Sequence, residues 1–252
     1  MEAWTPRRPA LQPSKHDVAW LAWDAVKPRL EAGAAAILPI GAGAKQHGLH
    51  MPMATDQVFA EHFSRMLAER IDALIWPTLS YGVYPAFAAY AGSVSLSGGI
   101  FQPVVTEIVD ALIGFGATRA LILNTGLSTI EPVEAAISAS RRPDRVRHLK
   151  VFAGSRFEET ARALKQQPYG SHADEMETSL MLAMAPELVD MTRAAPSPFS
   201  PTGPHLGALS PDDSSSPNYA PSGSFGDPTL ASAEKGKRLL DAILADLMEM
   251  AD

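Results

Sequence analysis

The chain has 252 residues, 46% hydrophobic and 19% charged, which suits one sizeable core and excludes a disordered or fibrous chain. A formal net charge of −7 with no basic stripe excludes phosphate-backbone recognition, so no nucleic acid partner is expected. The absence of cysteine rules out disulfides and thiolate metal sites and leaves His, Asp and Glu as metal ligands.

Residues 1–13 hold three prolines and little periodicity, and are expected to form an arm on the surface or on a neighbouring subunit. The remainder, 14–252, is read as a single domain. Two arginines near the start are followed by no apolar run long enough for a secretory signal, and no stretch approaches the ~20 apolar residues of a membrane span. A soluble, cytoplasmic protein with no membrane partner is expected.

In chain order, Ser14 is a candidate N-cap for an amphipathic helix carrying Val18, Leu21, Trp23 and Val26 and ending near Pro28. AAAILPIGAG reads as a buried parallel strand opening into a loop. Thr55 to Arg70 places Val58, Phe59, Phe63, Met66 and Leu67 on one helical face, and ALIWPTLSYG is the next strand and loop. The helix PVVTEIVDALIGFG is predicted to start with its proline in the first turn and to end at glycine. RALILNTG is a strand, EPVEAAISASR a helix and HLKVFAG a strand. METSLMLAMAPELV is a helix stopping near Asp190, and ASAEKGKRLLDAILADLMEM is the last. Between them, residues 194–229 are rich in Pro, Ser and Gly and too long for an ordinary connection, which points to a lid or a subunit-contacting arm.

Strands that alternate with helices and read as continuous apolar runs imply an α/β fold, a three-layer α/β/α sandwich around a mostly parallel sheet. Ligands in such sheets bind beyond the carboxyl ends of the strands. The loops containing GAKQHGLH, SYGVYPAFAAYAGS and NTGLST all lie there.

Two polar clusters carry chemistry. In the first, His47 and His50 are followed by Asp56, and imidazole with carboxylate suits zinc or manganese when thiolates are absent. Equally, His50 and Asp56 could cap the helix and close the loop. The second cluster, Ser171 to Glu177, reads either as an acidic first helical turn favoured by the helix dipole, or as a site. In the latter case His172 is a general acid/base and Glu177 a metal ligand or water-orienting carboxylate. Tyr81, Tyr84, Phe87 and Tyr90 bring aromatic rings to one loop, suited to a planar ligand or to packing between subunits.

The segment LPIGAGAKQHGLHMPMATD resembles the creatininase signature Pro-x-Gly-Ser-x-Glu-Gln-His-Gly-x-His-Leu-Pro-x-x-Thr-Asp. It matches without a gap at Pro39, Gly41, Gln46, His47, Gly48, His50, Pro52, Thr55 and Asp56. HADEMETSLMLAMAPELVD is similar to the family's His-Ala-Gly-x-x-Glu-Thr-Ser-x-x-Leu stretch at His172, Glu177, Thr178 and Ser179. GSFGDPTLASAEKG resembles the family's Gly-Asp-Pro and Glu-Lys-Gly ending. The resemblance implies a hexamer that hydrolyses a C–N bond of a small amide at a dinuclear centre. In that centre Asp56 would bridge two divalent metals, His47 would bind one, and His172 would carry a proton toward the leaving nitrogen.

The chain departs from the pattern at three ligand positions: Lys45 stands for the glutamate, Gly126 for the histidine and Ser128 for a second glutamate. An ammonium offers a metal no lone pair and repels it. Three outcomes remain open. One is a hydrolase of a small amide or lactam with a single divalent metal (Zn, Mn or Fe) on His47, Asp56 and Glu177. Another is a metal-free enzyme using Lys45 and His172, with the ammonium paired to Asp56 or Glu177. The last is a non-catalytic metabolite-binding or scaffolding relative. Gln46, His50, Tyr84, Tyr90, Asn124, Ser128 and Ser171 are expected to line the substrate pocket.

Overall fold

Every residue of β1 (Ala35–Ile40), β2 (Ala73–Ile75) and β3 (Ala120–Asn124) is buried. With β4 (Val146–Lys150) they form a wholly parallel sheet in the order β2-β1-β3-β4. A computed structural model describes residues 14–198 and 207–252. The expected arm at 1–13 lies outside the described residues, as does part of the 194–229 excursion.

Alternation along the strands sends side chains to two separate cores, as the period of two requires. Ala35, Ile37, Ala73, Ile75, Leu121, Leu123 and Leu149 point to one face. That face is covered by α2 (Thr55–Ala68), α5 (Ser155–Leu164), α6 (Glu175–Met184) and α7 (Ala233–Ala251). Ala36, Leu38, Ile40, Leu74, Ala120, Ile122 and Val146 point to the other. There they meet α1 (Trp23–Glu31), α3 (Gly98–Gly114) and α4 (Ile130–Ala139). This is the three-layer sandwich the sequence implies.

Proline within an interior strand needs an explanation, because it cannot donate to the ladder. In β1 the Pro39 carbonyl accepts from Leu79 N–H at 2.9 Å, on the side where β2 has already ended at Ile75, opposite Ile37. The missing N–H therefore costs no strand pairing. Just beyond, Gly41 lets α2 start against the strand end: a Cβ at Gly41 would lie 2.3 Å from the Asp56 carbonyl oxygen. That contact fixes Asp56 at the mouth of the sheet.

Several boundaries differ from expectation. Ser14 does not cap a helix: its N–H donates to Asp17 Oδ2 at 2.9 Å, and α1 begins at Trp23 and runs through Pro28. Likewise α3 begins at Gly98, so Pro103 sits inside it, not in the first turn, on an exposed position. The strand read at HLKVFAG starts earlier, at Val146, and ends at Lys150. The helix read to Asp190 stops at Met184, because Pro186 drives the preceding Ala185 out of the helical region (φ −149°, ψ 63°). Helix α5 was not anticipated. It is a surface helix with no fully buried residue, attached through Phe157, Ala161 and Leu164 and through Asp246, which accepts from Arg156 N–H at 3.2 Å and Phe157 N–H at 2.8 Å. Among the described residues no helix is long and apolar enough to cross a membrane.

Candidate metal and catalytic site

The polar residues of both sequence clusters meet beyond the carboxyl ends of β1 and β3. Lys45 and His47 come from the loop after β1, Asp56 from the first turn of α2, His172 from the segment before α6, and Glu177 from its first turn. Thr125, at the end of β3, donates its hydroxyl to the Ile40 and Asp56 carbonyls at 3.1 and 3.3 Å, which ties the strand ends to the start of α2.

Each imidazole is oriented by a backbone carbonyl. His47 Nδ1 lies 3.0 Å from the Lys45 carbonyl oxygen, and His172 Nε2 lies 2.8 Å from that of Gln46. A carbonyl only accepts, so these nitrogens carry hydrogens, and the other nitrogen of each ring is the one that can turn a lone pair to an ion. His47 Nε2 lies 3.1 Å from Asp56 Oδ1, to which it donates when protonated, and His172 Nδ1 faces Glu177 Oε2 at 3.6 Å. The two rings lie 4.7 Å apart. Ligand atoms of His47, His172 and Glu177 all fall within 4.8 Å of one another.

Glu177 is aimed by two local devices. Asp174 caps α6, accepting from the N–H groups of Met176 and Glu177, and Ala173 N–H donates to Glu177 Oε2 at 2.6 Å. Ala173 does so with φ at +46°, the one positive φ outside glycine in the described residues. Such strain persists only where the surroundings hold it, and it is concentrated at functional sites. His172 itself is pinned through its backbone, which exchanges hydrogen bonds with Phe225 at 3.3 and 2.7 Å.

Electrostatics sort the groups. Burial lowers the proton affinity of both His47 and His172, in His172 helped by the charges of His47 and Lys45. Burial likewise pushes the Glu177 carboxyl up to about 8, although Lys45 pulls the other way. Asp56 is the exception: burial would raise it, but Lys45 and His47 together hold it well below the usual carboxylate range. The source is direct, since Lys45 Nζ lies 2.7 Å from Asp56 Oδ2, with both side chains buried. Phe87 covers Lys45 and His172, its ring 4.7 Å from Lys45 Nζ and 4.3 Å from the His172 ring. Tyr84 adds a second ring 5.6 Å from Nζ.

This donor set does not fit a dinuclear centre. Gly126 offers no ligand, and a Cβ there would stand 2.6 Å from Thr129 Oγ1, which would have to shift to admit a side chain. The half-exposed Ser128 turns its hydroxyl to the Val83 carbonyl at 2.6 Å, and Lys45 brings a charge of the wrong sign. A single ion fits: two lone-pair nitrogens oriented by carbonyls and one carboxylate meet the donor requirement of an open divalent site. In this set His172 stands where Asp56 was expected, because Asp56 is engaged by Lys45.

The remaining expected pocket residues are mostly structural. Gln46 bridges the Gly223 carbonyl and Gly48 N–H at 2.9 Å each. His50 Nε2 pairs with Thr178 Oγ1 at 2.8 Å, and Tyr90 donates to the Ala220 carbonyl at 2.7 Å. Asn124 spends its amide on Gly126, Thr129 and His148. Ser171 is exposed and pairs through its backbone with Phe225. Tyr84 brings its ring beside Lys45, and the Gln46 carbonyl meets His172. Phe87 was expected, with the other loop aromatics, to meet a planar ligand or a neighbouring subunit and instead packs on Lys45 and His172, and Gly223 and Phe225, from the 194–229 segment, were not foreseen as partners of the site. The three-residue spacing of Tyr84, Phe87 and Tyr90 was the available signal for Phe87.

A family model described as creatininase, creatinine amidohydrolase, matches residues 19–251. Creatinine amidohydrolase of Pseudomonas putida is 30% identical over 251 residues, covering 92% of this chain and 94% of its own. The mycofactocin precursor peptide peptidase of Mycobacterium ulcerans is 24% identical over 219 residues, 83% of this chain and 81% of its own. Among solved structures, a creatininase with Mn superposes with a TM-score of 0.80 at 26% identity, covering 94% of this chain and 97% of the other. A Zn–Zn form of a creatininase variant gives 0.80 at 26% over the same shares. On the extent of the family match and the identity to the Pseudomonas putida protein, the chain belongs to the creatininase family.

Proposed function

We propose that this protein hydrolyses a C–N bond in a small amide or lactam, with one divalent ion (Zn, Mn or Fe) held by His47, His172 and Glu177. The observation that carries the reading is the convergence of those three donors within 4.8 Å, with the second nitrogen of each imidazole bound to a backbone carbonyl. Membership of a family whose relatives cleave creatinine and a precursor peptide supports the reaction class. When bound, the ion supplies Lewis-acid polarisation of the scissile carbonyl and acidifies a water.

The protein's own groups do the rest. The carbonyls of Lys45 and Gln46 fix the two rings, so little reorganisation is needed to present their lone pairs. Glu177 holds a proton near neutral pH and gives it up to become a ligand. Lys45 neutralises Asp56, which keeps a buried carboxylate from competing for the substrate carbonyl's partners. Phe87 walls both His172 and Lys45 and lowers the local dielectric, which strengthens every charge interaction beside it.

The test is to load chelator-stripped protein with Mn, Zn and Fe separately, count bound ions, and assay a panel of small amides and lactams. The expected result is one ion per chain and turnover that chelation abolishes. Substoichiometric binding of all three, or turnover indifferent to chelator, contradicts the proposal.

A further inference from the structure

The ion pair of Lys45 and Asp56 is more than a substituted ligand. Lys45 Nζ sits 2.7 Å from Asp56 Oδ2, lies 4.7 Å from the Phe87 ring centroid and 5.6 Å from that of Tyr84, and is buried together with its partner. The carboxylate supplies the counter-charge and the two ring faces add cation–π attraction. The cation, its counter-ion and the two aromatic rings therefore pack as one unit.

We infer that the Lys45 ammonium is a resident cation that occupies one of two cation positions in this site, withdrawing Asp56 from metal binding and limiting the protein to one divalent ion. The inference rests on the single-ion reading above, but its content is a difference: exchanging Lys45 for a carboxylate should admit one more ion than the native chain takes. With Glu at position 45, two buried carboxylates face each other and a divalent ion relieves their repulsion.

The experiment compares metal-stripped wild type with Lys45→Glu and Lys45→Arg, each loaded with manganese and freed of excess by gel filtration, with bound Mn counted by elemental analysis. The expected result is one additional ion in Lys45→Glu and none in Lys45→Arg. One ion in both wild type and Lys45→Glu overturns the inference while leaving the single-ion reading intact, and no ion in either removes both. A wild-type count of two also overturns it. A wild-type count of zero with a count of one in Lys45→Glu upholds the resident cation and removes the single-ion reading. Should Lys45→Glu fail to fold, Lys45→Gln frees Asp56 without adding charge. Thermal-shift titration with Mn should then show a second saturable phase absent from wild type, and a titration identical to wild type overturns the inference.

Discussion

Lys45 Nζ and Asp56 Oδ2 lie 2.7 Å apart, with side chains 7% and 1% exposed. Removing one member of a buried pair leaves the other charge unsolvated, a loss of about 3–5 kcal/mol. Lys45→Met should fall in that range in urea or guanidinium unfolding. The double substitution Lys45→Met with Asp56→Leu should recover most of the loss, since buried pairs exchange for apolar residues at little net cost. A Lys45→Met variant as stable as wild type would show that the pair is not formed.

Glu177 sets a proton-linked signature. Burial pushes its carboxyl up from the usual range to about 8, while His47 and His172 are already neutral. At pH 7 an entering divalent ion should therefore displace about one proton, from Glu177. Calorimetry in buffers of different ionisation enthalpy measures that release, which should vanish as pH rises past about 8. The same shift makes the metal-free protein less stable as pH climbs from the ordinary carboxylate range toward about 8, because the unfolded chain loses this proton first. Glu177→Gln should remove that slope, and a release of zero protons at pH 7 would contradict the assignment.

Restoring the family's histidine at position 126 should not restore a ligand. Its Cβ would already press on Thr129 Oγ1 at 2.6 Å and touch Tyr84, so Gly126→His should cost about 1–3 kcal/mol by overpacking and leave the metal count unchanged. A gain of one ion in this variant would show that the loop re-forms around the new side chain.

Ala173 holds φ at +46°, a region where a Cβ costs about 1–2 kcal/mol. Ala173→Gly should therefore be neutral or stabilising by about 1 kcal/mol, measured by denaturant melt. A marked destabilisation would mean that the Ala173 methyl, fully buried in the core under α2 and α6, contributes more than the strain removes.

Most of the scaffold was legible because β1, β2 and β3 are short, almost entirely apolar runs, and because α2 and α7 carry strong amphipathic patterns. What failed was local. Pro28 and Pro103 sit on exposed positions inside α1 and α3, where the proline rules ended one helix and started the other. The surface helix α5 was missed although Phe157, Ala161 and Leu164 fall at helical spacing on its packed face. In the site, the residue types at 45, 47, 56, 172 and 177 were readable, but their pairing was not. The sequence left Lys45 open between Asp56 and Glu177. Only the approach of α2 to β1 across Gly41 decides for Asp56, and that leaves His172 as the third donor.

The chemistry of this site turns on where a metal sits and where Lys45 sits beside it. A crystal structure of manganese-loaded protein, with anomalous scattering collected at the Mn edge, tests both together. The predicted result is a single peak among His47, His172 and Glu177 with Lys45 still on Asp56. Two peaks bridged by Asp56, or none after saturation with manganese, would contradict it.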